Sequence, residues 1–230
     1  MVVLCHDADF IPNDTDCCRQ ISVHRRGYAR IILAAIAFCL MRSLPGAAFS
    51  LYLLSCCLDA FDGFAARMFN QGTRFGAMLD MLTDRCATAC LIVNLALLYP
   101  SATPLFQLSL SLDVAGHWLH LHSSVLKGSE SHKTLGVKSS RLLEMYYTSR
   151  PLLFLMCAGN ELFYSCLFLN YHYSGPIVPG LRMGLLPLLV VVFAPVAVLK
   201  AVITLMQLLA ASADIAEVDR LERERMVKRK

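Results

Sequence analysis

The chain predicts an all-α, polytopic membrane protein of six transmembrane helices with an interfacial N-terminal segment. Three observations carry this. Hydrophobic residues make up 57% of the 230 positions, and mean hydropathy is +0.55. Apolar stretches recur at lengths near the ~20 residues that cross a hydrocarbon core. Basic residues gather in alternate loops, the pattern that orients membrane proteins.

The spans are expected at 28–45, 47–68, 76–99, 102–125, 146–170 and 182–210. The first is short, and Arg30 near its start should sit at headgroup level. Segment 1–27 reads as a cytosolic or interfacial N-terminal piece, 28–210 as the membrane domain, and 211–230 as a charged cytosolic tail. No cleavable signal peptide is visible, because only a few apolar residues precede His6-Asp7-Ala8-Asp9. Arg19, Arg25, Arg26 and Arg30 lie before or at span one. Arg67 and Arg74 flank the second turn, Lys127, Lys133, Lys138 and Arg141 occupy the fourth loop, and Arg220 to Lys230 follow the last span. Only Arg42 and Arg182 fall on the other side. The positive-inside rule therefore puts both termini in the cytosol, as an even span count requires.

A net charge of +4, spread along one membrane face, is no nucleic-acid signal. The tail mixes acids and bases at helical spacing and reads as a solvated helix. The cysteines show no zinc spacing, and those inside spans behave as small apolar residues. His117, His120 and His122 around Trp118 read as an interfacial polar belt without an acid partner nearby, while Asp113 sits mid-span as either a functional residue outside the metal site or a partner for a polar neighbour on another helix. Ala34, Ala35 and Ala37 would permit close helix packing in a homodimer.

Chemistry concentrates where the chain is most apolar. Asp59, Asp62, Asp80 and Asp84 lie within predicted spans, where one isolated charge costs about 2.5–3.5 kcal/mol. Helical neighbours are three and four residues apart. Asp59 and Asp62 therefore share one face, and Gly76, Asp80 and Asp84 form a stripe on the next helix. Two antiparallel helices joined around Asn70-Gln71-Gly72-Thr73 would turn these pairs toward each other. Interhelical pairing with Arg67 and Arg85 is the alternative, but two arginines cannot neutralise four carboxylates. Oxygen-only ligands favour Mg²⁺ or Mn²⁺ over zinc. Gly63 and Gly76 clear space beside the acids, and Arg67 offers a fork of donors to phosphate. The set describes a site for a metal-bound diphosphate.

The string Asp59-x2-Asp62-Gly63-x2-Ala66-Arg67-x8-Gly76-x3-Asp80-x3-Asp84 resembles the signature of the CDP-alcohol phosphotransferase family of integral membrane enzymes. From Phe49 to about Tyr164 the chain is similar to the phosphatidylinositol synthase branch of that family. Carrying segments include Asn70-Gln71-Gly72-Thr73-Arg74-Phe75-Gly76, Ser129-Glu130-Ser131-His132-Lys133 and Tyr146-Tyr147-Thr148-Ser149-Arg150-Pro151. The resemblance implies transfer of a phosphatidyl group from CDP-diacylglycerol to myo-inositol with release of CMP, at the endoplasmic reticulum membrane, using two divalent ions, Mg²⁺ or Mn²⁺. It implies Asp59, Asp62 and Asp80 as metal ligands, and Asp84 as general base and further metal contact. It places CDP-diacylglycerol near Gly63, Ala66, Arg67 and Gly76. Arg150, Lys133 and His132 are the candidates for binding inositol.

Two departures stand out. Phe64 occupies a position where relatives in that branch carry histidine. Residues 14–26 separate Pro12-Asn13 from Gly27-Tyr28-Ala29-Arg30, which are nearly contiguous in the branch; the interfacial helix before span one is expected to be interrupted or displaced. Alternatives are a related transferase with another acceptor such as glycerol 3-phosphate, an inactive paralogue or splice form, and an ion or proton pathway built on intramembrane acids.

Overall fold

The computed structural model describes residues 14–68, 74–129, 141–180 and 182–228. The described residues are all-α apart from one minimal hairpin. In chain order, α1 runs Asp14–Leu40, α2 Pro45–Met68, α3 Arg74–Leu98, α4 Thr103–Ser129, α5 Arg141–Thr148, α6 Arg150–His172 and α7 Leu185–Lys228. Strands β1 (Ile177–Val178) and β2 (Met183–Gly184) pair antiparallel between α6 and α7.

Among the described residues, three helices are long and apolar enough to cross a membrane: Met78–Leu98 of α3, Pro151–His172 of α6, and α7. Shorter apolar stretches are Gly27–Leu40 and Pro45–Asp59. The outer faces of the helices are themselves apolar. Leu97, Leu105, Leu108, Phe154, Val191, Val198 and Leu209 are all exposed, as expected of side chains that meet lipid rather than water. Helix α4 has the length but not the hydropathy, because Gln107, Asp113 and His117, His120 and His122 interrupt it.

The chain forms two compact units that meet in sequence at Leu91 and Ile92. In the first, α1 packs on α2. The chain turns between them at Met41–Leu44, where Leu44 N–H donates to the Leu40 carbonyl at 2.8 Å. Pro45 then opens α2, a position where its missing N–H costs nothing. Ala34, Ala37, Met41, Ala48 and Tyr52 form the buried seam, with the Phe38 and Tyr52 rings 5.8 Å apart. The buried Ser55 hydroxyl donates to the Arg30 carbonyl at 3.1 Å.

In the second unit α4 and α6 both pack on α7. Glycine permits the closest approaches. A Cβ on Gly116 would lie 2.6 Å from Thr204 Cγ2, and one on Gly159 2.6 Å from Val196 Cγ1. Small residues at such crossings let helix backbones meet in a membrane. Leu143, Tyr146, Met156 and Ile203 build a buried cluster joining α5, α6 and α7. Tyr99 caps the other end, its hydroxyl donating to the Leu167 carbonyl at 3.1 Å. Gly184 needs its bare Cα, because a Cβ would collide with the Ser174 carbonyl oxygen.

Several expectations are corrected. Helix α1 is continuous from Asp14, so residues 14–26 are helical and run without a break into the first expected span; the expected interfacial helix before that span involves Pro12-Asn13, which lie outside the described residues. The stretch expected as one span at 146–170 is split at Ser149, whose φ of −93° and ψ of 98° break the helix just before Pro151. Proline disfavours helical conformation shortly before it and suits the first turn after it. Tyr146 thus belongs to α5. Ala34 and Ala37 are buried within the chain, which leaves Ala35 as the exposed member of the three. The solvated helix expected for the charged tail is present: the last helix continues to Lys228, and Arg220 pairs there with Glu217 and Glu224.

Candidate active site

The candidate site lies in the first unit and draws on three helices. Asp59 comes from the C-terminal half of α2, Asp80 and Asp84 from one stripe of α3. An i, i+4 step puts Asp80 and Asp84 on the same face. One oxygen from each of the three carboxylates lies within 4.8 Å of the others. Ligands on opposite sides of one Mg²⁺ ion are about 4.2 Å apart, from bond lengths near 2.1 Å. Small carboxylate rotations would close the difference. The donor set therefore fits a hard divalent ion, held by oxygen alone.

Arg30 of α1 completes the cluster. Its Nη1 lies 2.6 Å from Asp59 Oδ1 and 2.5 Å from Asp80 Oδ1, and Nη2 lies 2.7 Å from Asp84 Oδ1. The arginine side chain is only 5% exposed, against 51% for Asp80. The guanidinium forms the floor of the site and the carboxylates its open side. Arg30 alone cannot neutralise three carboxylates, and Arg85 adds a further positive charge acting on Asp84; acid still outnumbers base around the cluster. Such clusters are costly without a cation, because like charges a few ångströms apart repel by kilocalories at low effective dielectric.

Arg30, expected at headgroup level, also meets the acid cluster. Its place in the sequence showed only a cation near a helix start; its role depends on acids 50 and 54 residues away. The available signal was an arginine at the edge of an apolar run, where a cation needs an acidic partner. His117 also differs from expectation. Its Nδ1 lies 3.4 Å from Asp113 Oδ1 and 2.8 Å from the Asp113 carbonyl, an i, i+4 pair on the same helix. Trp118 beside it is exposed. Lys200, which sequence reasoning passed over, is buried in α7 and donates to the Tyr146 hydroxyl at 2.7 Å. A lysine within so apolar a run was the available signal.

The remaining candidates are placed only by their elements. Asp62, Gly63, Ala66 and Arg67 belong to the C-terminal turns of α2, and Gly76 to the first turn of α3. The side chains of Asp62, Ala66 and Arg67 lie outside what the structure describes, as does that of Arg150, the first residue of α6. His132 and Lys133 lie outside the described residues altogether.

Comparison with known proteins identifies the family. Residues 27–134 match the CDP-alcohol phosphatidyltransferase family. The mouse CDP-diacylglycerol–inositol 3-phosphatidyltransferase is 60% identical over 200 residues, spanning 86% of this chain and 92% of that protein. The human protein of that name is 58% identical over the same shares. The Drosophila melanogaster protein of that name is 48% identical over 198 residues, 86% of each chain. No solved structure matches the chain. Arg30, Asp59, Asp80 and Asp84 all fall inside the matched segment, and the chain belongs to the CDP-alcohol phosphatidyltransferase family.

Proposed function

We infer that this protein transfers the phosphatidyl group of CDP-diacylglycerol to myo-inositol, giving phosphatidylinositol and CMP. The observation that carries the reading is the convergence of Asp59, Asp80 and Asp84 in a chain 48–60% identical to inositol phosphatidyltransferases along most of its length. Asp59, Asp62, Asp80 and Asp84 would hold the divalent ions, Mg²⁺ or Mn²⁺. When bound, such ions supply charge neutralisation to the diphosphate and the departing nucleotide.

The side chains do the rest. Asp84 takes a proton from an inositol hydroxyl, and that oxygen forms a new bond to the lipid-side phosphorus. The phosphorus–oxygen bond to the nucleotide breaks, and CMP departs. Gly63, Ala66 and Gly76 leave room for the nucleotide, and Arg67 meets the phosphates. Arg150, Lys133 and His132 orient the polyol. Positioning and charge stabilisation provide most of the rate in such substitutions.

We place the reaction at the cytosolic face of the endoplasmic reticulum membrane. Six crossings would need α1, α2 and α4 to join the three longer apolar helices. The confinement of basic residues to alternate turns supports that topology, and the resemblance to the phosphatidylinositol synthase branch supports the compartment. The purified chain, given CDP-diacylglycerol, Mn²⁺ and labelled inositol, is expected to form labelled lipid. Asp84→Asn should lower labelling by about 10²-fold or more while the protein stays folded. Retained labelling would refute the base assignment, and labelling from glycerol 3-phosphate instead of inositol would refute the acceptor.

A further inference from the structure

We propose that Arg30 is a resident counter-ion of the acid cluster, holding Asp59, Asp80 and Asp84 together when no divalent ion is bound and competing with the ion for them. The inference rests on the reading of the cluster as a metal site and adds a residue to it.

Geometry is the first support. One nitrogen, Nη1, lies within 2.6 Å of oxygens on both Asp59 and Asp80, so it bridges two carboxylates as a cation between them would. The third carboxylate is met by Nη2. A single side chain thus touches every acid of the cluster.

The second support is the rest of the guanidinium. Nε is buried and has no hydrogen-bond partner among the described residues. An arginine fixed for structural reasons normally spends all its donors, because a buried donor without an acceptor is costly. Here the contacts that hold the head group are the three carboxylates. The buried carbonyl of Arg30 is tied separately, by Ser55, so the backbone stays anchored if the head group shifts.

Charge then sets the direction of the effect. A divalent ion entering the cluster meets the same oxygens that Arg30 engages, and it meets a positive charge a few ångströms away. Arg30 therefore weakens ion binding while protecting the ion-free protein from carboxylate repulsion. It acts as a positioning residue that sets how much free ion the site requires.

The test uses the purified full chain in lipid nanodiscs, with Mn²⁺ alone as probe. Electron paramagnetic resonance reads free Mn²⁺, and thermal unfolding is followed with chelator and with Mn²⁺. Arg30→Gln is expected to bind Mn²⁺ about tenfold more tightly than the unsubstituted protein, since a nearby positive charge has gone. Its chelated form should melt lower, and its midpoint should rise more on adding Mn²⁺. Arg30→Lys keeps the charge without the fork and should bind Mn²⁺ nearly as the unsubstituted chain does. An Arg30→Gln protein that folds only with Mn²⁺ would support the proposal, because the ion then replaces the arginine. Unchanged or weaker Mn²⁺ binding by Arg30→Gln would overturn it, as would a variant that Mn²⁺ cannot rescue. If the unsubstituted chain binds no Mn²⁺, the metal reading itself falls, and the proposal with it.

Discussion

In the first unit the buried Arg30 guanidinium lies against three carboxylates; in the second the buried Lys200 ammonium donates to the Tyr146 hydroxyl at 2.7 Å, 5.1 Å from the ring centroid. Both cations sit among apolar helices, where an ionised group needs partners. The first has acid in excess, so another cation can be accommodated. The second donates to a hydroxyl at the rim of an aromatic ring, a contact that ties two helices. Burial of a charge in a membrane helix is thus not one signal. The contacts seen distinguish a carboxylate cluster able to take an ion from a tie between α5 and α7.

The largest effect that would sharpen this contrast is loss of the excess acid. Asp59→Asn should reduce lipid labelling by about 10²-fold or more, since a metal ligand is removed. Thermal unfolding in nanodiscs should still report a folded protein, because Arg30 keeps Asp80 and Asp84 as partners. If labelling persists, the acid excess is not what the chemistry uses. Chelation should have a comparable effect on the unsubstituted chain, reversed by added Mg²⁺ or Mn²⁺.

Next comes packing in the second unit. Gly159→Leu would push a side chain into Val196 across the α6–α7 contact. Overpacking of this kind costs about 1–3 kcal/mol, and the thermal midpoint should fall accordingly. An unmoved midpoint would mean that this crossing is looser than its geometry indicates.

Tyr146→Phe probes the tie itself. It removes the hydroxyl that receives the Lys200 hydrogen bond and keeps the ring. The expected cost is about 1–2 kcal/mol, within the range for polar contacts between membrane helices. Lower stability with intact turnover per folded molecule would fit a structural tie. Lost turnover at unchanged stability would instead bring Lys200 and Tyr146 into the chemistry and break the comparison. The smallest effect belongs to Arg220→Ala in the exposed tail, where surface ion pairs contribute little. Its midpoint should not move measurably.

What could be read from the chain alone follows from periodicity within single helices. The steps from Asp59 to Asp62 and from Gly76 through Asp80 to Asp84 are properties of one helix each, and so are the apolar lengths of α3 and α6. The preference for a hard ion follows from side-chain chemistry without any fold. The i, i+4 pair of Asp113 and His117 was equally legible. Its omission was a failure of reading, not a limit of the sequence.

Other features required the chain to fold. Arg30 meets acids from α2 and α3 that no local spacing connects to it, because helix–helix contact depends on crossing geometry rather than sequence distance. The pairing of Lys200 with Tyr146 has the same origin, across 54 residues. The break at Ser149 was signalled by Pro151, yet only the packing of Leu143 and Tyr146 against Met156 and Ile203 made α5 a separate amphipathic helix. Local sequence determined which charges lie in the membrane helices, since hydropathy and spacing are additive along a chain. Tertiary structure decided which of those charges meet, since burial forces each one to find a partner wherever the fold brings it.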